Sequence, residues 1–221
     1  MFRRWGRPKR MRVDNGEPWG SWSDLPPELA LWLIGLGVEM VWIPPRTPQD
    51  NGVVERSQGT AQRWAEPEAC ASPGELQRHL ETMDRIQREV YPFRDQRSRW
   101  DTFPRLAHSG REYSRLWEKE NWDIERVFSH LAGYALPRYV DKAGRVSLYG
   151  WAHYVGNLHV RKMVYVTFDP QSTEWMFADE TGRQLNKQLA REITQRRIVS
   201  LRVSRRKDTQ YRHADKLLCR N

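Results

Sequence analysis

Apolar residues in this chain recur at helical spacing as far as Leu131, whereas beyond Pro137 they fall at every second position. One segment cannot satisfy both periods, because a helix brings side chains back to one face about every 3.6 residues and a strand every two. The chain is therefore expected to be a mixed α/β protein, helical and layered at first and antiparallel β afterwards, with the change near Pro137.

Within the first part, Met11-Arg12-Val13 predicts a short strand that runs into the turn Asp14-Asn15-Gly16. Ser23 or Asp24 can cap a helix whose first turn accommodates Pro26 and Pro27. Leu29, Leu33 and Leu36 mark its apolar side, and Gly37 ends it. Val38 to Ile43 predicts a buried strand, closed by Pro44-Pro45. Strand, helix, strand is the order of an α/β layer. Arg46 to Gln49 is expected to be a loop, and Asp50 or Asn51 to cap a helix from Val53 to Trp64 with Glu55 in its first turn. Ser72 with Glu75 predicts a capping box for a further helix, whose apolar stripe is Leu76, Leu80, Met83 and Ile86.

From Tyr91 to Pro137 the pattern weakens to a connecting region with one short helix, Trp122 to Leu131. Beyond it, Val146, Leu148, Ala152 and Tyr154 alternate with Ser147, Tyr149 and His153. Met163 to Phe168 and Trp175 to Ala178 predict two more strands, separated by the turn Asp169 to Ser172 and followed by the turn Asp179 to Gly182. A small antiparallel β-barrel over residues 138–190 is the expectation. The organisation read from the sequence is thus residues 1–66, an α/β unit; 67–137, a helical connector; 138–190, the barrel; and 191–221, a basic tail.

Charge points to the partner. Lys and Arg total 37 against 28 Asp and Glu, a formal +9, and this excess attracts polyanions, nucleic acid first among them. The basic residues are densest at the carboxyl end, where Arg196, Arg197, Arg205, Arg206 and Lys207 stand close together. Cys70 and Cys219 are far apart and outside any Cys-x-x-Cys pair, so neither a disulfide framework nor a cysteine zinc site is indicated, and a reducing, cytoplasmic setting is expected. The amino-terminal residues are basic without the apolar stretch of a secretory signal, and the longest apolar run, Leu29 to Leu36, is too short to cross a bilayer. No membrane partner is expected.

Two carboxylates are placed by local signals: Asp14 at a strand's carboxyl end and Glu55 in a helix's first turn. Each alone has an ordinary explanation, as a turn former or as a partner of the helix dipole. The strand, helix and strand between them can fold the chain back so that the pair converges. The segments Met11-Arg12-Val13-Asp14-Asn15-Gly16-Glu17-Pro18-Trp19 and Pro48-Gln49-Asp50-Asn51-Gly52-Val53-Val54-Glu55-Arg56 resemble the second-aspartate and glutamate motifs of the DDE transposase and retroviral-type integrase superfamily, which has the RNase H fold. Arg138-Tyr139-Val140-Asp141-Lys142-Ala143-Gly144 resembles the start of the small barrel that follows the core in bacterial insertion-sequence transposases.

The resemblance implies a truncated RNase H-like integrase core in residues 1–66 and metal-dependent DNA strand transfer in the complete enzyme. Asp14 and Glu55 would be catalytic residues and ligands of Mg²⁺ or Mn²⁺, with DNA and other transposase subunits as partners. Arg56 and Arg63, on the glutamate's helix, would approach DNA phosphates, or else form a solvated helix face. The family's first catalytic aspartate has no counterpart, since no Asp or Glu precedes Asp14. A truncated gene, the downstream product of a split element and a fragment all fit that departure, and the chain alone is expected to be inactive. The alternative is a catalytically inactive protein that binds DNA through its basic carboxyl-terminal part.

Overall fold

A computed structural model describes residues 2–16, 18–20, 25–44 and 52–201. Eight helices among them are α1 (Phe2–Trp5), α2 (Glu28–Gly35), α3 (Gly52–Ala65), α4 (Pro73–Glu89), α5 (Arg99–Thr102), α6 (Arg115–Asn121), α7 (Ile124–Leu131) and α8 (Gln195–Ser200). The strands are β1 (Arg10–Val13), β2 (Glu39–Trp42), β3 (Leu136–Tyr139), β4 (Arg145–Leu148), β5 (Trp151–Tyr154), β6 (Met163–Asp169), β7 (Glu174–Ala178) and β8 (Gln184–Leu189). The protein is a mixed helix-and-sheet structure, as the two periods predict.

β1 and β2 pair in parallel, Arg10 opposite Glu39 through Val13 opposite Trp42, and α2 is the crossover between them. Parallel neighbours need such a crossover. α2 starts at Glu28 with Pro27 at its cap position, so Pro26 and Pro27 precede the helix instead of lying in its first turn; Ser23 and Asp24 lie outside the described residues. It ends as expected at Gly37. With φ at +73°, Gly37 lets Val38 N donate to Leu33 O at 3.0 Å while its own N donates to Ile34 O at 2.8 Å. This pair of bonds satisfies carbonyls that the last helical turn leaves open. Ala30, Leu31, Leu33, Ile34 and Gly35 of α2 are buried. Full burial of a leucine contributes about 2 kcal/mol, so this short helix is a centre of stability.

α4 forms as the spacing predicts, with Ser72 Oγ accepting from Glu75 N. Glu75 bonds Ala71 N at 2.8 Å instead of the cap residue, so the expected capping box is only half made, and the complete box is at Ser98 and Asp101. No residue of α4 is buried: its stripe packs along α3 and α5 and does not join the main core. The helix expected over Trp122 to Leu131 is α7, which starts two residues later, and α5 and α6 precede it in a stretch where no further helix is expected. Trp122 ends α6 with extended backbone, and Asp123 caps α7 by accepting from Glu125 N.

The expected barrel is not closed among the described residues. β3, β6, β7 and β8 make an open antiparallel sheet in that order, and β4 with β5 makes a separate hairpin. Side chains span part of the gap: Asn186 and Gln188 on β8 both donate to Tyr154 O at the end of β5, at 2.7 and 2.6 Å. Pro137 lies inside β3, which is an edge strand where a missing N–H is tolerated, so the antiparallel part begins just before the expected boundary. β6 follows the alternation, burying Val164, Val166 and Phe168. The stretch Val146 to Tyr154 does not continue in one phase. Tyr149 and Gly150, with φ of +48° and +79°, turn it back in two residues. His153 opposite Val146 is therefore buried, and Ala152 and Tyr154 face outward.

One apolar core runs from Val13 through α2, α7 and the sheet to Ile198, so residues 1–66 and 138–190 do not have separate cores. Residues 191–201, read as the start of a tail, bury Glu192, Ile193 and Ile198 and belong to this body. No helix among the described residues is long and apolar enough to cross a membrane.

The glycines of α2 and α3 allow a test. A Cβ at Gly35 would run into the Trp122 indole, whereas one at Gly59 in α3 would meet nothing within 4 Å. Gly35→Ala should destabilise the protein by about 1–3 kcal/mol through overpacking. Gly59→Ala should stabilise α3 by about 0.5–1 kcal/mol. Urea unfolding of the two variants checks both signs.

Candidate nucleic-acid interface

Asp14 follows Val13, whose side chain is buried, so alternation along β1 turns Asp14 to the surface, where it is exposed. Its Oδ1 accepts from Gly16 N at 3.3 Å, an Asx turn. That turn is anchored to β2: Asn15 Nδ2 donates to Ile43 O at 2.7 Å and Ile43 N donates to Val13 O at 2.9 Å. The Trp42 indole N–H also donates to Trp19 O at 2.9 Å. Asp14 therefore stands on a backbone held from two sides.

Glu55 is exposed in the first turn of α3, and residues 45–51, which connect it to β2, lie outside the described residues. No hydrogen bond or shared partner joins Asp14 to Glu55 among the described residues. Nor do any three His, Cys, Asp or Glu side chains there form a group able to hold a metal ion. Glu17 and Asp50, the acidic residues nearest them in sequence, are outside the described residues. The described donor set thus does not fit a two-ion centre, which needs several converging carboxylates.

Of the arginines read as DNA contacts, Arg56 and Arg63 are exposed on α3, where Arg63 Nε donates to Gly59 O at 3.2 Å. Arg196 is exposed on α8. Arg205, Arg206 and Lys207 lie outside the described residues. Arg197 turns inward instead. Its Nε donates to Glu28 Oε1 at 2.8 Å and its Nη2 to Tyr149 O at 2.9 Å, so it ties α8 to the start of α2 and to the β4–β5 turn. Tyr149 in turn donates its hydroxyl to Pro26 O at 2.8 Å, and burial pushes its ionisation well above the usual tyrosine range.

Two polar clusters were not legible in the sequence. Arg7, Arg111 and Arg126 converge on the carbonyl end of α2: Arg7 Nη1 on Leu36 O at 2.6 Å, Arg111 Nη2 on Gly37 O at 2.8 Å and Arg126 Nη1 on Gly35 O at 3.0 Å. Burial, and then the two neighbouring guanidinium groups, lower the Arg7 pKa, while its guanidinium stacks 3.5 Å from the Trp117 ring centroid. The second cluster is a fully buried carboxylate. Glu192 Oε1 accepts from Trp175 Nε1 at 2.8 Å and meets His153 Nε2 at 2.9 Å. An acid between Arg191 and Ile193 gives no spacing signal for such a place.

No protein-family model matches the chain.

Arg196 and Arg197 separate surface charge from internal fastening. Arg197→Ala should cost about 1–2 kcal/mol, because a charged hydrogen bond disappears and Glu28 is stranded, the effect being reduced by partial exposure. Arg196→Ala should stay within about 0.5 kcal/mol. Thermal and urea unfolding would distinguish them.

Proposed function

We propose that this chain acts in DNA transposition or integration, as the carboxyl-terminal portion of a DDE-type transposase or integrase. The observation that carries the proposal is the parallel β1–α2–β2 unit, which presents Asp14 at the carboxyl end of β1 on an anchored turn and is followed by α3 with Glu55 in its first turn. Open α/β layers place their chemistry at the carboxyl ends of strands. The motif resemblance around those two acids and the charge of +9 support the same assignment. An RNase H-like core and other transposase subunits as partners are part of this proposal.

Mg²⁺ or Mn²⁺ would be the ion by resemblance, but Asp14 and Glu55 are two ligands where in-line phosphodiester attack calls for a larger converging set. The ligand count favours a second reading, in which the chain binds DNA without doing chemistry on it, by phosphate contacts from Arg56, Arg63, Arg196 and the residues beyond 201.

Two outcomes test the proposal. The purified chain should bind duplex DNA with little sequence preference and an affinity that falls steeply with salt. Deleting residues 202–221 should flatten that salt slope while leaving the folded body intact, because α8 and Glu192 are retained. Binding that ignores salt would contradict the phosphate contacts. The chain alone, incubated with labelled duplex and either metal, should neither nick nor join it. Nicking that depends on metal and disappears in Glu55→Gln would show that the two carboxylates suffice.

A further inference from the structure

One face of α4 carries Arg78, Glu81, Thr82, Arg85, Arg88 and Glu89, positions three and four apart that fall on one side of a helix. With Arg4 of α1 opposite, they line an open pocket of about 420 Å³. Its four arginines are not equivalent. Arg88 is fixed: its Nη1 lies 3.4 Å from Asp84 and its Nη2 3.0 Å from Glu89. Its guanidinium stacks 4.4 Å from the Trp5 ring centroid and 5.3 Å from that of Trp100. Arg4 lies over the same Trp5 ring at 4.6 Å and pairs with Glu81 at 3.7 Å. Arg78 and Arg85 are exposed, and among the described residues neither has a carboxylate or carbonyl partner.

We propose that this pocket holds the sugar-phosphate backbone of DNA, with Arg78 and Arg85 as the phosphate-binding side chains and Trp5 and Arg88 as the frame that shapes their surroundings. The proposal rests on the DNA-binding function put forward above and adds a contact surface outside the segments to which the resemblance points. Three observations favour a phosphate chain over other anions. Two guanidinium groups with no partner among the described residues stand two helical turns apart, about 10 Å along α4, which suits a repeating anion better than a single compact one. The guanidinium fork matches phosphate oxygens, and arginine is weakly enough hydrated to leave water for them. The pocket is open and lined almost wholly by charged side chains, and the Trp5 ring is already covered by Arg4 and Arg88, so it provides backbone contact and no base recognition.

The test uses the full chain and its Arg78→Gln/Arg85→Gln variant, titrated against a duplex by fluorescence anisotropy over a range of potassium chloride concentrations. Since both side chains are exposed and have no partner among the described residues, the variant should unfold at the temperature of the parent. Removing one phosphate-binding charge lowers the slope of log affinity against log salt by about 1, so the double variant should bind with a slope shallower by about 2. Arg78→Lys/Arg85→Lys should keep most of that slope, because its charges remain. A parent chain that binds duplex with a steep salt slope that the glutamine variant reproduces would overturn the pocket and leave the wider function in place. A parent that binds no duplex at low salt would remove both. Phosphatidylserine vesicles form the parallel arm: vesicle binding abolished in the glutamine variant, with duplex binding unchanged, would assign the pocket to a lipid surface and overturn the proposal.

Discussion

A short helix buried in the middle of a protein must have its carbonyl end satisfied without water, and the rest of this structure is arranged around that requirement. The last turn of α2 and the two residues after it present carbonyls that the helix itself cannot pair. Val38 and Gly37 take the Leu33 and Ile34 oxygens. Trp32 O accepts from the Trp122 indole at 3.0 Å. Gly35 O takes Asp123 N as well as Arg126, and Leu36 O and Gly37 O take Arg7 and Arg111. Leaving one such group unpaired in the interior costs about 1–3 kcal/mol, so these bonds matter more for the penalty they avoid than for their own strength. The cations also sit where the helix dipole is negative.

This arrangement explains why distant segments are drawn together. Arg7 is brought in from the segment between α1 and β1, Arg111 from the loop before α6, and Asp123 and Arg126 from the start of α7. With α7 in place, Val127, Phe128 and Leu131 pack between α2 and the antiparallel sheet, and Phe128 lies against Phe168 with ring centroids 5.4 Å apart. At the other end of α2, Glu28 receives Arg197, which brings α8 onto the same body. Helix and sheet regions that look like separate units therefore share one core. α3, α4 and α5 are the exception. They pack on one another, bury no residue of α4, and so present long charged faces to solvent.

That division bears on the proposed DNA binding. The shared core carries the anchored turn on which Asp14 stands, and the α3–α5 group carries Glu55, Arg56, Arg63 and the arginine-lined pocket. Surfaces that meet DNA phosphates need charge kept in water and side chains free to adapt, conditions that an outlying helical group meets better than a core element. Arginines tied to the core elements have a different task. Arg7, Arg111, Arg126 and Arg197 are held by carbonyls and Glu28, so the excess of basic residues in the composition divides between a structural set and a solvent-facing one.

The sequence by itself determined the elements whose signals are local. Val13 before Asp14-Asn15-Gly16 ends β1, Gly37 ends α2 because its backbone must be left-handed, Ser72 starts α4, and the alternation through Val164, Val166 and Phe168 makes β6. It also showed that Asp14 and Glu55 stand at a strand end and a helix start. Whether they meet lies beyond any local signal, because residues 45–51 connect them and convergence depends on how those residues carry the chain. Only the tertiary structure decided that Ala152 faces out and His153 in, since a two-residue turn at Tyr149-Gly150 reverses the phase of the alternation. It also left the sheet open and made β8, whose polar sequence has no apolar stripe, an edge held by Asn186 and Gln188. Arg197 reads as surface charge and Glu192 carries no signal at all, because nothing next to them in sequence is their partner. Glu28, Tyr149, His153 and Trp175 reach them only across the fold, and pairing at such sequence distances has no period for a linear pattern to show.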